Sequence, residues 1–471
     1  MATFLAVLLA GAMWFLSTGM HHVWLLAWLA PLPLLLVLPQ LSAARAALAA
    51  FVAAALGATS FVLAYRDLPP ALVAGLIPLV ALPFTLVALA WRVVARDCHP
   101  AVAVVGYAAL VTAMEHLLSR LSPHGTFGSL AYSQGDVPVV LQLAAVTGVA
   151  GITFLLSLVP AALAVAWCQR REARTAATAL ALGGVPLALA LGFGLVRLAA
   201  PATGVPVAVG LAAGDPGAGP HSELDDSAAA LSVVRAYVRR VGALADRGAR
   251  VVVLPEKFVG VTPAYDAAAR ALLRDAARAH AVTIVAGFNL LGGRERRNVA
   301  LVFGPGGNQV LEYDKQHLVP GLEAGYRPGT VTGLVAGAAV PTGVAICKDL
   351  DFSGLGRAYA AAGVGLLLVP AWDFVRDGWL HSRMAVVRGV EGGYAVARSA
   401  EDGLLTVSDA RGRVVAERAS GDSAEVLLAA VVPVGRGGTL YSRGGDWFAW
   451  LSLVAAACAV AAGRRRTMEH L

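Results

Sequence analysis

Three residues of different chemistry each follow directly on a run that reads as a β-strand. Glu256 comes after Val251-Val252-Val253-Leu254-Pro255, Lys315 after the run Gln309 to Tyr313, and Cys347 after Gly343-Val344-Ala345-Ile346. In open α/β sheets, functional groups collect beyond strand ends, so side chains distant in sequence can converge there. A carboxylate, an ammonium and a thiol meet the needs of covalent acyl transfer. The carboxylate takes the thiol proton, the thiolate attacks a carbonyl carbon, and the cation stabilises the oxyanion. Each residue also has an ordinary reading: a buried inert thiol for Cys347, a solvated surface charge for a lysine. Lysine usage bears on the choice, because among 37 Lys and Arg residues only Lys257, Lys315 and Lys348 are lysines. A position that keeps Lys points to a need for a compact, rotatable ammonium that a planar guanidinium does not meet. Lys257 and Lys348 adjoin Glu256 and Cys347, and neighbours on a strand point to opposite faces, so both are expected to face solvent.

The elements that must position these groups lie in residues 198–445. β-rich runs at 207–211, 250–254, 282–288, 342–346 and 365–369 alternate with helical stretches near 224–247 and 264–280. Val299 to Phe303, the turn Gly304-Pro305-Gly306-Gly307-Asn308, and Gln309 to Tyr313 read as a hairpin, because Gly and Asn supply the backbone conformations a tight reversal needs. Sheets covered by helices in a layered sandwich suit this order.

The rest of the chain is of another kind. With 58% hydrophobic and 14% charged residues, the 471-residue sequence falls outside the roughly 25% charged usage of soluble globular proteins, as a membrane protein would. Residues 198–445 hold 25 of the 37 Lys and Arg and 23 of the 30 Asp and Glu. The basic excess therefore belongs to the apolar part, and no basic patch interleaved with aromatics suggests nucleic acid. A bilayer-spanning helix needs about 20 mostly apolar residues. Eight runs qualify: 3–19, 22–39, 46–65, 70–91, 101–119, 147–168, 175–196 and 447–463. The first lacks a basic leader and is followed at once by a second, so it is read as a span. Alternate loops hold Arg45, then Arg92 and Arg96, then Arg170, Arg171 and Arg174, then Arg464 to Arg466; the other set holds only Arg66, Arg120 and Arg197. By the positive-inside rule both ends are cytoplasmic and 198–445 lies outside. Of the four cysteines, Cys98 and Cys168 sit at helix ends, Cys458 lies in the last span, and no disulfide is expected. Glu115, the acidic residue well inside a span, is read as a helix-end carboxylate reaching the interface.

Leu254-Pro255-Glu256, Tyr313-Asp314-Lys315-Gln316-His317-Leu318-Val319-Pro320 and Ala345-Ile346-Cys347 resemble the glutamate, lysine and nucleophile motifs of the nitrilase (carbon-nitrogen hydrolase) superfamily. Glu323, eight residues after Lys315, matches a second glutamate that positions the lysine. His381, Met384, Arg388 and Glu391 keep the spacing that follows the nucleophile. The segment 439–446, Ala131-Tyr132-Ser133-Gln134 and the following Leu141, Gly148 and Phe154-Leu155-Leu156 are similar to the membrane branch, the apolipoprotein N-acyltransferase family. Departures are Lys348-Asp349 where the family has an aromatic and Glu, the stretch 214–220 without a Lys-Trp pair, and Pro320-Gly321-Leu322-Glu323 without an aromatic.

The resemblance implies a membrane α-helical bundle of about eight spans (1–197, with 446–471 closing it) and an αββα nitrilase-like sandwich at 198–445. It implies a multi-pass protein of the bacterial inner membrane with the sandwich on the outer side. The activity implied is transfer of a fatty acyl chain from a phospholipid, through a thioester on Cys347, to the amino-terminal amine of a diacylated lipoprotein. Glu256 would be the base, Lys315 and the Lys348 N–H the oxyanion donors, and Glu323, Lys348 and Asp349 supporting residues. Neither cofactor nor metal is implied, no metal-ligand spacing is evident, and a monomer is expected. Phe258, with Val259 and Val261, and Trp372, Phe374, Trp379, Leu380 and His381 are candidates to line the acyl route, core packing being the alternative for the aromatics. Two other readings stay open: hydrolysis of amides or nitriles by the same triad, and a membrane protein without catalysis.

Overall fold

The computed structural model describes residues 1–469 apart from 19, 202, 215–225 and 293–294. The chain forms two compact units, one of Met1–Ala199 with Gly444–Leu471 and one of Ala200–Arg443.

The first unit is helical: α1 (Ala2–Ser17), α2 (Ala43–Ala64), α3 (Pro70–Asp97), α4 (Pro100–Leu121), α5 (Val149–Cys168), α6 (Ala173–Ala199) and a last helix at Trp447–Glu469. Six of these, α2 to α6 and the last, are long and apolar enough to cross a membrane. The first two of the eight runs read from sequence form shorter apolar helices. Helix α1 has 16 residues, about 24 Å of rise against a hydrocarbon core of about 30 Å. The run 22–39 breaks into Trp24–Ala27, Leu32–Val37 and the 3₁₀ turn Leu38–Gln40. Pro31, Pro33 and Pro39 lack the N–H an uninterrupted helix needs. Helices α1 and α2 approach closely at glycines: a Cβ on Gly11 would meet Leu56 Cβ at 2.7 Å, and one on Gly57 would meet Trp14 Cβ at 2.7 Å.

Glu115 is held by the connection that follows α4. Its carboxylate accepts the Leu130 N–H at 2.8 Å and the hydroxyls of Ser129 at 2.8 Å and Thr153 at 2.7 Å. A carboxylate within an apolar helix bundle needs such partners. They tie the connection between α4 and α5 to both helices. Gln134 in the same connection accepts the Trp28 indole N–H at 3.0 Å and donates to the Trp24 carbonyl at 3.1 Å.

The second unit is a four-layer αββα sandwich. Strands β1 (Val205–Ala213), β2 (Val251–Val253), β3 (Val259–Val261), β4 (Thr283–Leu290), β5 (Arg297–Phe303) and β6 (Gln309–Asp314) form one sheet with β13 (Val426–Val434), in the order β13-β1-β2-β4-β5-β6 with β3 on β4. The other sheet runs β12-β11-β10-β9-β8-β7, from Val414–Ala419, Leu404–Ser408, Ala395–Glu401, Leu366–Trp372, Thr342–Val344 and Gly333–Leu334. Period-2 alternation assigns the faces. Val285, Ala300 and Val302 enter the core between the sheets with Val344, Leu366 and Leu368. Ile284, Ala286, Phe288, Val299, Leu301 and Phe303 point to the other side, against helices α7 (Ser227–Asp246) and α8 (Asp266–His280). Helices α9 (Ser353–Ala361) and α10 (Gly378–Gly392) follow β8 and β9, and α10 covers β10 and β11. Strands β1, β2 and β4 are parallel neighbours, as are β8, β9 and β10, so the carboxyl ends of each set lie together.

Candidate active site

The end of β9 holds two of the sequence candidates by backbone contacts. The Ala371 carbonyl accepts the Glu256 N–H at 3.2 Å, and the next carbonyl, that of Trp372, accepts the Cys347 thiol at 3.3 Å. Glu256 leaves β2 through Pro255, and Cys347 follows β8 and opens a 3₁₀ turn at Cys347–Asp351. Cys347 has φ +40°, a left-handed conformation rare for L residues and typical of sites where the surroundings fix one side chain.

Lys315, one residue beyond β6, is 1% exposed. Its ammonium lies 2.8 Å from Glu256 Oε1 and 2.9 Å from Glu323 Oε2. Asn298, which sequence reasoning missed, donates one amide to both carboxylates, at 2.6 Å to Glu256 Oε1 and 2.8 Å to Glu323 Oε1. Its signal was a polar residue directly before the apolar run Val299 to Phe303 of β5. Glu323 Oε2 also accepts the Val319 N–H at 2.8 Å. Burial acts against the Lys315 charge, but Glu256 and Glu323 outweigh it and raise its pKa, so it stays an ammonium. Burial and then the Glu256 charge push the Cys347 thiol well up, with Lys315 opposing. Cys347 therefore rests as a thiol.

Lys257 and Lys348 do not face solvent as expected. Lys257 binds Glu323 Oε1 at 3.0 Å, and Lys348 is buried with its ammonium 3.0 Å from Asp351. The strand argument fails because both residues stand in turns. Asp349 is fully buried and joins the turn at Cys347 to the loop after Lys315. Its Oδ2 accepts the Tyr313 hydroxyl at 2.7 Å and the Ile346 N–H at 3.0 Å; its Oδ1 accepts the N–H groups of Gln316 at 3.1 Å and His317 at 2.9 Å.

The proposed acyl lining divides. Phe258 is a correction: it is 5% exposed and packs against Tyr237 and Phe288 under the helices, with Val259 and Val261 buried beside it. It follows the αL residue Lys257, after which the chain rejoins β4 as the parallel strand β3. Leu380 is buried too. Trp372 is half-buried with its indole N–H on Asp402 at 3.0 Å, Trp379 is half-buried under the Arg383 guanidinium, and Phe374 is exposed. His381 pairs with Asp377 at 3.1 Å. Burial disfavours its charge, but Asp377, Asp373 and Asp351 outweigh burial and raise it to about 9, so it carries a proton at neutral pH.

Among the described residues, Asp373, Asp377 and His381 bring their donor atoms within 4.8 Å of one another. Asp373 also accepts from Arg398 at 2.9 Å, and His381 pairs with Asp377 at 3.1 Å. The departure at 215–220 lies outside the described residues.

Residues 218–437 match the family model described as carbon-nitrogen hydrolase, and residues 10–163 match the one described as apolipoprotein N-acyltransferase N-terminal domain. The chain is thus a membrane protein carrying an enzyme domain of the carbon-nitrogen hydrolase superfamily. An apolipoprotein N-acyltransferase of Geobacter metallireducens is 27% identical over 99% of this chain and 96% of its own length. One of Gloeobacter violaceus is 26% identical over 72% of this chain and 68% of its own. Over nearly its whole length the chain is thus similar to apolipoprotein N-acyltransferases. An amidase from Nesterenkonia sp. is 22% identical with a TM-score of 0.40, over 50% of this chain and 92% of that one.

Proposed function

We propose that the protein is a membrane N-acyltransferase that moves a fatty acyl chain from a phospholipid, through a thioester on Cys347, to the amino-terminal amine of a diacylated lipoprotein. The observation that carries this reading is the buried Glu256-Lys315-Glu323 group beside Cys347, in a chain related over 99% of its length to an apolipoprotein N-acyltransferase. Glu256 takes the Cys347 proton as sulfur attacks the ester carbonyl carbon, and Lys315 with the Lys348 N–H stabilises the oxyanion. The carbon–oxygen bond then breaks, and Glu256 returns the proton to the leaving lysophospholipid hydroxyl. In the second step Glu256 takes a proton from the lipoprotein amine, nitrogen attacks the thioester, and the thiolate leaves and is reprotonated. The Arg asymmetry of the loops supports cytoplasmic termini and a catalytic unit on the outer side of the membrane.

The test is purified protein in detergent with a phospholipid labelled in one acyl chain and a diacylated lipopeptide. Label in an amide on the lipopeptide amine is expected. Release of free fatty acid alone, with the amine unmodified, would overturn transfer in favour of hydrolysis.

A further inference from the structure

We propose that Lys257 is a positioning residue of this site, a second ammonium on Glu323 that balances the charge of the buried carboxylate pair and so keeps that pair in place around Lys315. The inference rests on the reading of Glu256 as the base.

The local backbone supplies the first observation. Lys257 has φ +47°, a conformation Gly or Asn adopts at lower cost. The segment around it lies directly on β4: a Cβ on Gly287 would fall 2.3 Å from the Pro255 carbonyl oxygen and 2.6 Å from Glu256 Cα. A lysine held in a glycine-like turn beside the catalytic glutamate is a residue whose side chain is used. That side chain reaches Glu323 Oε1 at 3.0 Å and lies over the Tyr326 ring at 5.3 Å.

The second observation is the charge balance. Glu256 and Glu323 are 2% exposed and share the Lys315 ammonium and the neutral Asn298 amide. With Lys257 the group holds two carboxylates and two ammoniums. Without it, one ammonium would face two carboxylates in a site closed to water, and a proton would enter the pair at higher pH. Burial pushes Glu323 up, yet Lys315 and then Lys257 outweigh it and hold its carboxyl below the usual range. The remaining ionisable groups around the cluster are Tyr326 under Lys257, the Cys347 thiol, and Asp373 with Arg398, which act on that thiol. Glu323 keeps Lys315, Asn298 and the Val319 N–H if Lys257 is removed. A change of charge can therefore be told from a loss of structure.

The experiment measures the rate of Cys347 alkylation by iodoacetamide against pH in the full chain, following the Cys347 peptide by mass spectrometry apart from Cys98, Cys168 and Cys458. Lys257→Met is expected to move the acid limb upward by about one pH unit, a rate loss of about tenfold below the limb that shrinks above it. Lys257→Arg is expected to bring the limb back toward the parent's. The proposal is overturned if the Lys257→Met limb superimposes on the parent's, or if Met and Arg lower the rate equally at every pH. Glu256→Gln serves as the control, because a limb that survives it would remove Glu256 as the base, and the Lys257 inference with it.

Discussion

Asp349 offers a demanding test of how the two loops of the site are held. Asp349→Asn keeps the shape but replaces one carboxylate oxygen with a donor. With the amide oxygen at the Oδ1 position, the N–H groups of Gln316 and His317 keep an acceptor. The Tyr313 hydroxyl can rotate to accept, but the buried Ile346 N–H then faces an NH₂ group. One stranded buried donor costs about 1–3 kcal/mol, and lost hydrogen bonds to a charged acceptor bring the total to about 2–4 kcal/mol. Asp349→Ala strands three N–H groups and a hydroxyl and should cost more. The chain leaves Lys315 directly into Gln316, so loosening this tie also displaces the ammonium, and a misplacement of about 1 Å can cost about 10²-fold in rate. Thermal unfolding in detergent followed together with acyl transfer is the assay. A fall of several degrees in midpoint with at least a tenfold loss of rate is expected for Asn, and a larger fall for Ala. An Asn variant as stable and as active as the parent would refute the reasoning, because it would mean that the carboxylate holds neither loop.

Two further substitutions probe the site and the layer behind it. Lys315→Arg keeps the charge but cannot seat a planar guanidinium between Glu256 Oε1 and Glu323 Oε2, and a loss of about 10²-fold or more in transfer is expected; near-parental rates would reduce Lys315 to a structural charge. Phe258→Ala removes a ring packed on Tyr237 and Phe288 and should destabilise the catalytic unit by about 3–5 kcal/mol; an unchanged melting midpoint with slower use of phospholipid alone would return Phe258 to the acyl route.

The strand ends were legible in the sequence because burial on alternate faces leaves a period of two that stops where the chain turns. Glu256, Lys315 and Cys347 stand where those stops predict. The alternation rule fails one residue further on. Lys257 and Lys348 were expected in solvent, yet each follows a strand end into a turn, where side-chain direction depends on dihedrals such as φ +47° at Lys257. Phe258 was misjudged for the same reason, since that turn sends it under the helices. Asn298 and the Asp373-Arg398 pair went unseen because their partners lie 42 and 25 positions away in sequence. In the membrane unit, hydropathy located the six long apolar helices but missed the short apolar stretch Pro138–Thr147. Pro31, Pro33 and Pro39 stand at the starts of the short helical pieces into which the second run divides. Glu115 had its partners across a connection that carries no periodic signal.

The most direct test of the central claim is the mass of the purified protein after incubation with phospholipid and no acceptor. The account predicts a fatty-acyl adduct on Cys347 that hydroxylamine removes and that a diacylated lipopeptide discharges. The adduct should be absent from Cys347→Ala and Glu256→Ala, and Cys347→Ser should at most form an oxyester that the lipopeptide discharges slowly. Undiminished lipopeptide acylation by Cys347→Ala would contradict the account.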